Sequence, residues 1–202
     1  MNRSLEAFIA LGSVIVCVIL LMGPSVHPAT LLAEGQPSKM YLPLVLKNLG
    51  PPGTLTVTST AFTEGGTIPD LHTCKSSFNW SPPLAWTSAS GTQSFALIMD
   101  DPDAPGGTFV HWVLFNIPSS TTSLTANANV PPGAARGLND FGAMGYGGPC
   151  PPPGDPPHRY YFKIYALAIT LMLGEGATKA QVEAAMAGNI LAQGQLMGRF
   201  GQ

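Results

Sequence analysis

Apolar and polar residues alternate through Leu55-Thr56-Val57-Thr58-Ser59, a period of two that predicts a half-exposed strand. Gly65-Gly66 and Ile68-Pro69 then break the pattern. Two stronger strand candidates follow, Ser94 to Met99 and His111 to Ile117, with a tight Asp-Pro-Asp-Ala-Pro-Gly-Gly segment between them. Tyr160 to Ala168 is a fourth apolar run, rich in aromatics. The connections are too short for helical crossovers, so antiparallel sheets are expected rather than a doubly wound fold. Near the end the period changes. Val182, Ala185, Met186 and Ile190 recur on one helical face behind Thr178, with Gln181 three residues on as its reciprocal capping partner. Gly194 is expected to stop this helix, and Leu196, Gly198 and Phe200 alternate afterwards as a final edge strand.

The amino terminus follows a different pattern. Ala7 to Met22 is uncharged and mostly apolar, behind a short start holding Arg3 and Glu6. Its length suits a signal peptide or a short membrane anchor. Gly23-Pro24 ends the run; Ala29 or Ala33 could precede a cleavage point, although His27 and Leu31 sit where a small residue is preferred. Cys17 lies inside the run without lipoprotein-type context, so no lipidation is assigned. The chain thus divides into a leader or anchor (1–22), a spacer (23–53) with an apolar patch from Met40 to Leu46, and a domain (54–202). The expected location is extracytoplasmic, secreted or anchored to the cell membrane, with membrane contact through residues 7–22.

Composition narrows the class. Lys+Arg 9 against Asp+Glu 11 leaves a net charge of -2 and no basic run, which argues against a nucleic-acid partner. Charged residues are only 10%, against about a quarter in ordinary domains, yet 45% hydrophobic content in periodic runs argues against disorder. The 23 Gly and 20 Pro imply many fixed turns.

With so few acids and only 4 His, their grouping carries information. Asp100-Asp101-Pro102-Asp103-Ala104-Pro105 is followed by His111-Trp112, and His158-Arg159-Tyr160 comes after a loop containing Gly147-Gly148-Pro149-Cys150. Pro102 and Pro105 fix backbone angles and remove donors, holding both turn carboxylates in set directions. Asp101 is expected to face a ligand and Asp103 to cap the turn. Strand alternation puts Trp112 on the face opposite His111. A lone histidine there is more often packed than functional, but His158 beside a glycine- and proline-rich loop changes the balance. Loop donors such as Gly148 N–H, with the imidazoles, could hold a phosphate or carboxylate oxygen, and Tyr160 could add a hydroxyl or an aromatic wall.

Catalytic signatures are weaker. The chain has no Gly-x-Ser-x-Gly elbow, His-Glu-x-x-His helix or phosphate-loop lysine motif. Asp101, His111 and His158 lack metal-ligand spacing, and no enzyme activity, metal or cofactor is expected. Cys74 and Cys150 could pair as a disulfide or stay free; an oxidising compartment favours pairing.

Several ordered segments resemble the phosphatidylethanolamine-binding protein family, particularly its bacterial Raf-kinase-inhibitor-like branch. They are Ser81-Pro82-Pro83-Leu84-Ala85-Trp86, the Asp100–Pro105 turn, His111-Trp112-Val113, Gly137 to Gly142, Gly145 to Pro152, and His158-Arg159-Tyr160. The resemblance runs from about Thr54 to Gly201. It implies an all-β fold, an antiparallel β-sandwich with peripheral short helices and a small anion pocket. Asp101, His111, Pro149, His158 and Tyr160 match pocket positions, with Asp103, Pro105 and Gly148 supporting them; Trp80 and Trp86 would contribute loop packing. The early loop departs from the family: Ser76 stands where a glycine is usual, and the loop is one residue longer before Ser81. The expected function is non-enzymatic binding of a small phosphorylated or carboxylated ligand, such as a phospholipid head group. An unprotonated Asp101 touching that anion would repel it, so a bridging donor is required. The alternative is an extracytoplasmic protein-binding regulator, of the protease- or kinase-inhibitor kind.

Overall fold

The computed structural model describes residues 51–202. The expected leader or anchor, with Cys17, and nearly all of the spacer lie outside the described residues. Nine strands form two sheets: β1 Gly53–Thr54, β2 Val57–Thr58, β3 Leu84–Trp86, β4 Ser94–Asp101, β5 Phe109–Pro118, β6 Ser123–Leu124, β7 Ala135–Arg136, β8 His158–Leu167 and β9 Ile190–Phe200. The larger sheet has the order β1-β9-β8-β4-β5-β7, and the smaller β2-β3-β6. Pairing is antiparallel except between β1 and β9, which run parallel. One α-helix, α1 Lys179–Met186, and one 3-10 turn, Asp70–His72, complete the regular elements of the described residues.

β4 is the spine. All eight of its residues are buried, which is why its sequence reads as a continuous apolar run instead of alternating. Phe95, Leu97 and Met99 enter a core that also takes Val57, Leu84, Trp86 and Leu124 from the smaller sheet. Ala96 and Ile98, one residue out of step, enter a second cluster under Val182 and Met186 of α1. Thr178 caps that helix by accepting from Gln181 N–H, and the Gln181 side chain accepts from Thr178 N–H, completing the capping box read from sequence.

Several expectations are corrected. The helix ends at Met186, followed by Gly188 at φ 74, the left-handed position that suits a glycine C-terminal stop. Ile190 therefore leaves the helical face and opens β9, and Gly194 lies inside that strand. A Cβ at Gly194 would strike the Leu55 carbonyl, so close backbone approach explains this glycine. β9 is flanked by β1 and β8 rather than forming an edge. The largest correction concerns His111. β5 pairs Trp112 with Met99 and Val110 with Asp100, leaving His111 as the extra residue of a β-bulge. His111 consequently packs edge-on to Tyr160 at 5.2 Å, and Tyr160 belongs to the same buried cluster as Trp112. The two neighbours share a side of the sheet; simple alternation fails because the bulge adds one residue.

Candidate functional site

β4, β5 and β8 bring their chemistry-bearing ends together at one end of the larger sheet. Asp101 ends β4, His111 occupies the bulge of β5, and His158 begins β8; all three are buried. They border a cavity of about 220 Å³ whose remaining wall includes Pro105, Phe141 and Pro151.

The hydrogen bonds fix the imidazole faces. His158 Nδ1 donates to Asp101 Oδ2 at 2.8 Å, while Asp101 Oδ1 accepts from Asp103 N–H at 2.8 Å. His111 Nδ1 donates to the Gly147 carbonyl at 2.8 Å. A carbonyl or carboxylate can only accept, so each Nδ1 carries a proton and each Nε2 remains for a ligand. The two rings differ in their surroundings. Burial pushes the His111 pKa below its usual value, only partly offset by the Gly147 carbonyl and the Asp101 charge, so His111 favours the neutral form, whose Nε2 accepts a hydrogen bond. His158 has Asp101 as a buried counter-charge, and its cationic form would donate from Nε2. Asp155 Oδ2 stands 3.6 Å from that nitrogen, beyond good hydrogen-bond length, on a 40% exposed side chain. The pocket thus offers His111 Nε2 as an acceptor and a second Nε2, on a ring bonded to Asp101, which Asp155 approaches.

The remaining expected residues take other places. Asp103 receives Arg159 through Nε at 2.8 Å, Nη2 at 2.6 Å and the backbone N–H at 2.9 Å, an arrangement that holds its pKa down at about 2. It ties the turn to β8 and does not border the cavity. Tyr160 lies wholly buried behind both imidazoles, and its hydroxyl finds no hydrogen-bond partner among the described residues. Burial raises its pKa well above the usual phenol range, with the nearby Asp101 charge adding to the effect. Pro149 contributes its carbonyl, which accepts from Cys74 N–H, instead of lining the cavity. Gly148 donates to Asn79 Oδ1 at 3.1 Å, so its N–H is already engaged. Cys74 and Cys150 are joined as a disulfide, and Cys150 borders the cavity. Trp80 stacks obliquely on Phe78, and Trp86 packs edge-on against Phe95.

Sequence reasoning missed Phe109, Phe141, Pro151 and Asp155. Phe109 and Phe141 meet edge-to-face at 4.8 Å and both contact the His111 ring, building the apolar wall that desolvates it. Only their nearness to Asp140 and His111 along the chain could have flagged them. A larger cleft of about 290 Å³ on the far side of the Gly145–Gly148 segment involves Asn79, Trp112 and Arg136 but holds no imidazole or carboxylate. Chemistry, not volume, selects the smaller pocket. Among the described residues no three His, Cys, Asp or Glu side chains are grouped as metal ligands, and no helix is long and apolar enough to cross a membrane.

Comparison with known proteins agrees with this architecture. A family model described as phosphatidylethanolamine-binding protein matches residues 58–201. A UPF0098 protein of Aquifex aeolicus is 48% identical over 149 residues, covering 71% of this chain and 86% of its own. A Mycobacterium tuberculosis protein named as lipoprotein LppC is 42% identical over 146 residues, covering 72% of each chain. The crystal structure of CT736 from Chlamydia trachomatis, described as a homologue of the same family, superposes with a TM-score of 0.69 at 38% identity. It covers 74% of this chain and 99% of that one.

Proposed function

This chain belongs to the phosphatidylethanolamine-binding protein family, and we propose that it reversibly binds a small phosphorylated anion without catalysing a reaction on it. The observation that carries this reading is the orientation of two buried imidazoles, each with Nδ1 committed to a fixed acceptor and Nε2 left for a ligand. His158, in its cationic form, donates to a phosphoryl oxygen, and Asp101 balances its charge. Neutral His111 accepts from a hydrogen that the ligand brings: the P–OH of a protonated phosphate or the ammonium of a phosphoethanolamine head group. Asp101 spends both oxygens on His158 and the turn, which limits its repulsion of the anion. We read the two sheets as the faces of a β-sandwich with this pocket at its rim.

The apolar stretch 7–22 and the lipoprotein name of the mycobacterial relative support an extracytoplasmic, membrane-tethered location. Calorimetric titration of the full chain with inorganic phosphate, phosphoethanolamine and a short-chain phospholipid tests the reading and separates a free anion from a head group. His158→Asn keeps a donor near the Nδ1 position while deleting Nε2, and is expected to weaken binding at least about tenfold. Unchanged affinity in a folded His158→Asn protein would sink the assigned site. A second reading, capture of a protein partner, draws on one observation: the stacked Phe78 and Trp80, exposed at 63% and 36%, on the loop tied to the pocket by the disulfide. Partner capture that survives His158→Asn would favour it.

A further inference from the structure

The pleat that turns Asp101 and His158 toward the imidazole pocket turns their neighbours the other way. On that opposite face Asp100, Arg159, Tyr161 and Lys163 border an open cleft of about 380 Å³, joined by Lys179 from the first turn of α1. Asp100 forms the floor and is only 1% exposed. Lys163 Nζ and Lys179 Nζ both donate to the same atom, Asp100 Oδ2, at 2.9 and 2.6 Å. Their side chains are 27% and 20% exposed, so both ammoniums are held in place instead of swinging freely in solvent.

The charge is unbalanced. Three cations border the cleft against one carboxylate; with Arg159 held by Asp103, Lys163 and Lys179 on the shared Asp100 oxygen leave one surplus positive charge. Each ammonium has three N–H donors and spends one on Asp100. Glu183 approaches Lys179 at 3.8 Å from a neighbouring groove, and Asp103 engages Arg159; neither borders the cleft. Lys179 joins α1 to β4, and Lys163 reaches the same carboxylate from β8, already β4's hydrogen-bonded neighbour.

We propose that this cleft is a second anion site, separate from the imidazole pocket, and that it takes a phosphate or phosphomonoester. Lys163 and Lys179 donate their remaining N–H groups to its oxygens while Asp100 holds the ammoniums in position. Tyr161 and Thr108 hydroxyls and the Gln195 amide supply neutral hydrogen-bonding groups on the walls.

The test is titration of the full chain with inorganic phosphate at constant ionic strength, followed by the ¹H–¹⁵N signals of the lysine ammoniums. Wild type, His158→Asn, Lys163→Gln and Lys179→Gln are compared, each single lysine variant leaving one ammonium on Asp100. Phosphate is expected to shift the Lys163 and Lys179 signals equally in wild type and His158→Asn, and each lysine variant to weaken that response at least about fivefold. Reductive methylation of the wild type, needing no variant, should be slowed by phosphate at these two lysines. Lysine signals and methylation rates indifferent to millimolar phosphate in the folded wild type would overturn the proposal, as would a response that vanishes in His158→Asn. A lysine response without any binding at the imidazoles supports this site while sinking the other.

Discussion

Asp155 and Tyr160 are the side chains whose replacement says most about the imidazole pocket. Asp155 faces His158 Nε2 at 3.6 Å, where an incoming anion would sit, and it is solvent-screened, unlike buried Asp101. A carboxylate there competes with an anion for that nitrogen. Asp155→Asn is therefore expected to raise phosphate affinity roughly three- to tenfold, read by calorimetry; reduced affinity would assign Asp155 a supporting role instead. Tyr160 buries a hydroxyl that has no partner among the described residues. Tyr160→Phe removes that unpaired group, so chemical denaturation should find stability unchanged or higher by up to about 1 kcal/mol. A loss well beyond that would mean the hydroxyl is bonded in solution. Asp101, His111 and His158 were legible because titratable residues are rare here and stood beside rigid turns. Phe109 and Phe141 were not, since aromatics in so apolar a chain look alike whether they wall a pocket or fill a core.

At the scale of elements, the site depends on how closely the 145–150 segment approaches its neighbours. Its Gly147 carbonyl orients His111, and its Gly148 lies against the loop preceding β3. A Cβ at Gly148 would collide with Asn79 Oδ1 and come within 2.7 Å of the His72 carbonyl. Gly148→Ala is expected to cost about 1–3 kcal/mol in denaturation and to weaken ligand binding several-fold by shifting the Gly147 carbonyl. A neutral effect on both would contradict the supporting role of this contact. β4, β5 and β8, the last part of β9, β2 inside the Leu55–Ser59 alternation and the capped helix were readable from apolar patterning and capping chemistry. The two-residue strands β1, β6 and β7 were not, because so short a pairing has no period and exists only where a partner lies. The bulge at His111 was hidden for a related reason: register belongs to two strands at once, and one sequence segment cannot state it.

For the whole molecule, acid is the expected weakness. The His111 pKa is depressed from 6.5 by burial, so below 6.5 the unfolded chain takes a proton that the folded chain resists, and stability present above 6.5 falls. Asp103 adds a second step. Its pKa is lowered from 3.8 to about 2, so its contribution is present above 3.8 and fades as pH falls toward 2. Denaturation midpoints should fall in both windows, and His111→Asn, which retains a donor for the Gly147 carbonyl, should blunt only the upper one. A wild-type midpoint flat from above 6.5 down to 3.8 would contradict a strained, neutral His111. The β1–β9 pairing carries a different consequence, one of timing. Gly53 can meet Ala192 only after nearly the whole domain exists, and Gln202 reaches back to Pro151 beside the disulfide. A ribosome still holding residues 190–200 therefore withholds the strand that joins the first to the rest. Closure of this sheet waits until that segment has emerged, which leaves the preceding chain open until then.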